Sequence, residues 1–78
     1  MSDLRPGPEL SSMAATLEDL TRRVTSMAEQ SATSHGDTVA GGGGRAISIS
    51  QELFEVERSL VEAIRRLSAL SRAVGRDA

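Results

Sequence analysis

Apolar residues recur in this chain at alternating steps of three and four, in two separate series that flank a run of four glycines. The first series is Leu10, Met13, Leu17, Leu20, Val24 and Met27. The second is Ile49, Leu53, Val56, Leu60, Ala63, Leu67, Leu70 and Val74. Such steps average 3.5 residues, which holds a stripe of side chains on one side of an α-helix and suits packing along a second helix. A strand, with its period of two, scatters the same residues over both faces. The chain is therefore expected to be all-α, a coiled-coil-like pair of helices in which each helix offers a narrow two-column seam.

The flanking residues set the expected boundaries. Residues 1–7 read as a flexible tail, broken by Pro6 and Gly7. Pro8 suits the first position of a helix, where its missing N–H costs nothing, so helix 1 is placed at 8–31. Residues 32–47 are small, polar and glycine-rich and read as a flexible linker. Helix 2 is placed at 48–74 with two candidate starts. Ser48 with Gln51 fits a capping box, and Ser50 as cap sets Ile49 and Phe54 as a hydrophobic staple. Gly75 is the expected stop, leaving 75–78 as a C-terminal tail.

An antiparallel hairpin matches the two seams. It pairs Leu10 with Leu70, Met13 with Leu67, Leu17 with Ala63, Leu20 with Leu60, Val24 with Val56 and Met27 with Leu53. Leu17 against Ala63 is the large-to-small contact that close packing favours. A linker of about 14 flexible residues reaches roughly 20 Å, well beyond the 8–10 Å between packed helices. Helix 2 has apolar residues to spare. Phe54, Val61 and Ile64 form a second stripe, with Arg58 and Arg65 at its rim, and are the expected partner-binding residues. A single hairpin of this length buries little surface. Two hairpins joined through the extra stripe make a dimeric four-helix bundle.

Composition narrows the function. The 78 residues include no cysteine, no lysine, one histidine and one aromatic residue, with a net charge of −2. No disulfide is possible, and a single histidine makes no structural zinc site. A nucleic-acid contact face is normally basic, and no basic excess is present. The first ten residues carry no apolar core of a signal peptide, and no apolar run is long enough to span a membrane. A cytoplasmic setting is the default.

Four chemical alternatives are weaker than a binding role. The glycine run lacks the lysine and spacing of a phosphate loop. His35 and Asp37 fall in the linker, where catalytic positioning is poor. Glu52, Glu55, Glu57 and Glu62 lack the Glu-x-x-His pairs of di-iron bundles. The doublets Arg22–Arg23 and Arg65–Arg66 have acidic neighbours such as Glu18, Asp19 and Glu62, so they read as neutralised surface. The chain is expected to be a non-enzymatic interaction module, an adaptor, regulator or accessory subunit, with no cofactor and no metal. Its partner is another protein, a second copy of itself, or both. The alternative is a small sensor that binds a nucleotide or other anion through the glycine loop and arginines.

Overall fold

A computed structural model describes residues 6–77. The expected tail up to Arg5 lies outside the described residues, as does Ala78. Helix α1 spans Pro6–Ala32 and helix α2 spans Ile49–Asp77, packed antiparallel into a rod of 52 × 25 × 22 Å. Both helices run past their expected ends. Pro6, Gly7 and Pro8 all fall in the first turn of α1, where the backbone N–H groups have no helical acceptor and proline loses nothing. Gly75 does not stop α2. Among the described residues only Gly43 and Gly44 have positive φ, so Gly75 makes no left-handed cap.

The connection between the helices is not a structureless linker. Strand β1, Thr38–Ala40, pairs antiparallel with β2, Ala46–Ser48, in the register Thr38 with Ser48, Val39 with Ile47 and Ala40 with Ala46. The glycines close this small hairpin. Gly41 N–H donates to the Arg45 carbonyl, and Gly43 and Gly44 turn the chain at φ 76° and 79°. That region is unstrained only for glycine. Gly43→Ala is expected to destabilise the connection by about 1–2 kcal/mol. Gly42→Ala, with an ordinary φ and open space around a new Cβ, is expected to have a far smaller effect. Thermal melts of the two variants measure the difference.

The helices meet along a different pair of columns from the one expected. On α1 the shielded residues include Leu10, Ala14, Leu17, Thr21, Val24, Ala28 and Ser31, with Thr25 beside them. On α2 they include Ser50, Leu53, Glu57, Leu60, Ile64, Leu67, Ser71 and Val74. Leu10, Leu17, Val24, Leu53, Leu60 and Leu67 keep their expected places between the helices. Met13, Leu20, Met27, Val56 and Leu70 do not: all five stand in solvent, while Ala14, Thr21 and Ala28 take the inner positions on α1. Small residues at seven-residue spacing let the two backbones approach, and the larger Leu53, Ile64 and Leu67 of α2 fill the space. Thr21 tolerates the inner position because its hydroxyl bonds the Leu17 carbonyl at 2.6 Å. Each helix thus carries an apolar stripe three columns wide, the pattern of a bundle helix, rather than the two-column seam read from the sequence.

Candidate functional site

Two surfaces carry what chemistry this chain has: the helix start beside the glycine turn, and the exposed apolar face of the hairpin.

The start of α2 is capped twice. Ser48 Oγ accepts the Gln51 N–H at 3.2 Å, which makes Ser48 the cap and fulfils the first of the two candidate starts. Asp37 supplies the second cap from outside the helix. Its Oδ1 accepts the Ser50 N–H at 2.7 Å, and its Oδ2 accepts the hydroxyls of Ser48 and Ser50, each at 2.8 Å. The Ile49 N–H donates to the Asp37 carbonyl at 2.6 Å. Ser50 is buried beneath this cluster. The Ser50 hydroxyl is the main reason the Asp37 carboxyl sits below its ordinary range; the Ser48 hydroxyl and Ser50 amide add to it, and desolvation opposes them.

A depressed carboxyl titration stabilises the fold above the unfolded-state value, about 3.9 for aspartate, and that contribution is lost as pH falls through the lower folded-state value. Asp37→Ala is expected to lower the melting temperature at neutral pH. The gap from the parent is expected to narrow below about pH 4, where the parent loses the same interaction. A constant gap down to pH 2 would show that the carboxylate charge is not what holds the cap. The geometry also bears on anion binding and catalysis. The positive end of α2 already holds a carboxylate, and Glu52 lines the recess beside Arg45, so an incoming phosphate meets negative charge. Both Asp37 oxygens are engaged by serines, and His35 is exposed in the preceding turn.

Five arginines are paired on the surface. Asp19 takes Arg22 at 3.5 Å and Arg23 at 4.0 Å, so Arg22 turns to Asp19 and not to Glu18. Arg58 meets Glu55 at 3.3 Å. Glu62 takes both Arg66, at 3.0 Å, and Arg65, and these two, Arg66 first, hold its carboxyl below its ordinary range. All are exposed pairs and add little stability. Glu57 behaves differently. It sits between the helices and accepts a hydrogen bond from the Thr25 hydroxyl across the seam. With Ser11 and Ser71, whose hydroxyls are 3.0 Å apart, it fixes the relative height of α1 and α2. Among the described residues, no group of three His, Asp or Glu is placed to hold a metal ion, and no helix is long and apolar enough to cross a membrane.

The exposed apolar residues fall on opposite sides of the hairpin. A residue turns about 100° on an α-helix, so Met13, Leu20 and Met27 lie on one side of the inner column and Ser11, Glu18 and Thr25 on the other. Ser11 and Glu18 share a shallow groove with Ser68, Ser71 and Arg72. That side of the rod is therefore polar on α1. Opposite it, Met13, Leu20 and Met27, at 40%, 39% and 57% exposure, join Val56 and Leu70, at 44% and 50%, with the half-buried Ala63 between the last two. These residues make one continuous apolar face across both helices.

The expected partner-binding stripe is split by this geometry. Phe54 and Val61 are exposed on α2 at the side opposite this face, with Arg58 and Arg65 nearby in solvent. Ile64 turns into the seam and is shielded there. The alternating steps of three and four place Met13, Leu20 and Met27 in the seam. The signal for the inner column was the seven-residue spacing of Ala14, Thr21 and Ala28. No family model, no curated protein and no solved structure matches this chain.

Proposed function

We propose that this chain is a non-enzymatic protein–protein interaction module that works as a dimeric four-helix bundle, serving as an adaptor, regulator or accessory subunit. The face of Met13, Leu20, Met27, Val56, Ala63 and Leu70 is the observation that carries the proposal. Among the described residues no large side chain is fully buried, so the lone hairpin leaves its main apolar surface in water. Monomeric proteins seldom expose a contiguous apolar patch of this kind without using it. A helix pair about 40 Å long and about 20 Å wide offers roughly 800 Å² on one face, the area each partner contributes to a standard stable interface.

A second copy fits this face by shape and charge, since it brings the same long flat strip of apolar residues. Dimerisation leaves the edge with Phe54 and Val61, rimmed by Arg58 and Arg65, outside the bundle as the surface for a different protein. The alternative, an anion sensor at the glycine loop, is disfavoured by the Asp37 carboxylate at the start of α2. Light scattering over a range of concentrations tests the proposal. A mass of twice 8.2 kDa, with helical circular dichroism in the same samples, is the expected result. A helical monomer at every concentration would overturn self-association.

A further inference from the structure

We infer that the second copy docks with its α2 over α1 of the first, about a two-fold axis running along the bundle, so that Leu20 packs on Ala63 of the partner subunit. The inference rests on the dimer proposed above and specifies its architecture. The height of each residue along the rod follows from the cross-helix contacts. Ser11 stands beside Ser71, and Thr25 beside Glu57. Halfway between these bridges Glu18 is level with Ile64. Leu20 and Ala63 then lie within about one residue rise, roughly 1.5 Å, of the same height. Met13 with Leu70, and Met27 with Val56, are matched in the same way.

Rotation about an axis along the rod preserves these heights. It sets each Leu20 against the partner's Ala63, each Met13 against the partner's Leu70 and each Met27 against the partner's Val56. Large meets small at the centre on both sides of the axis, which fills space evenly. A two-fold axis across the rod is the other way to join the same faces. It sets α1 on α1, so the two Leu20 side chains collide at one point and the two Ala63 residues leave a gap at another. Overpacking and voids are both destabilising. The rims agree with the lengthwise axis. Thr16 comes level with the partner's Arg66, Arg23 with the partner's Ser59 and Gln30 with the partner's Glu52, so no like charges meet.

The chain has no cysteine, which makes single-thiol variants clean reporters. Leu20→Cys and Ala63→Cys chains, one carrying a short size tag, are refolded together and oxidised, and the covalent products are separated by mass without reductant. A disulfide requires Cβ atoms about 3.8 Å apart, so the mixed L20C–A63C dimer is expected to exceed the L20C–L20C product by about tenfold or more. Predominant L20C–L20C dimer would overturn the lengthwise axis and leave the dimer itself standing. A dimeric mass with neither product would overturn the docking of these faces. A monomeric mass would remove both the arrangement and the dimer it rests on.

Discussion

Leu20→Glu is expected to convert the dimer to a monomer. Leu20 lies at the centre of the exposed face, equally far from Met13 and Met27, and 39% of its surface is in water in the single hairpin. Glutamate at that position is solvated in the monomer. In the dimer it is an unpaired charge against the partner's Ala63 and its neighbours. Leaving one charge buried without a partner costs about 3–5 kcal/mol. The dimer holds two copies of the change, so the dissociation constant is expected to rise by at least roughly 10²–10³-fold. Sedimentation or light scattering at matched concentrations reads the change directly. Phe54→Glu is the comparison, because Phe54 lies on the other edge and its dimer is expected to persist. If Leu20→Glu kept the parent's mass across the concentration range, the apolar face would not be the dimer interface.

Ala28→Glu is expected to open the hairpin itself. Ala28 has 0% exposure, the most enclosed residue of those described, and it sits in the inner column beside the connection. A glutamate there has neither room nor a partner. The same cost of about 3–5 kcal/mol falls on a chain of this size whose whole stability is expected to be about 4–12 kcal/mol. Loss of most of the helical circular dichroism at room temperature is the expected outcome. Met27→Glu, one residue earlier and 57% exposed, is expected to keep its helices and lose only association. The neighbouring pair separates the two candidate registers. If Met27→Glu unfolded the chain and Ala28→Glu did not, the seam first read from the sequence would be the true one.

Much of the architecture is legible in the residues. The two series of apolar steps place both helices, and Ser48 with Gln51 marks the start of α2. The rotation of the helices is harder to read. Leu10, Leu17 and Val24 belong to either seam, and the choice between Met13 and Ala14 beside them turns on two opposing effects. Larger apolar area favours Met13 inside, whereas close approach of the backbones favours Ala14. The second leaves Met13, Leu20 and Met27 exposed, and the spacing of the apolar residues does not weigh one effect against the other. The strand pair was hidden for another reason. Three-residue strands carry almost no periodicity, and the glycines between Ala40 and Arg45 dominate the local composition. The carboxylate of Asp37 is legible only once β1 brings it back to Ser48 and Ser50.

The short strand pair also sets the phase of the two helices. Thr38–Ala40 is locked to Ala46–Ser48, and Asp37 is locked to the first turn of α2, so the orientation of α2 is inherited from the turn. The turn at 33–36 joins α1 to this unit, with the Ser34 N–H donating to the Ser31 carbonyl at 3.1 Å. Each residue added to or removed from the end of α1 swings its stripe by about 100° around the axis. The inner column of Ala14, Thr21 and Ala28 and the outer column of Met13, Leu20 and Met27 are one such step apart. The connector therefore works as a gear setting, and its length bears on which of two apolar columns lies between the helices and which faces outward.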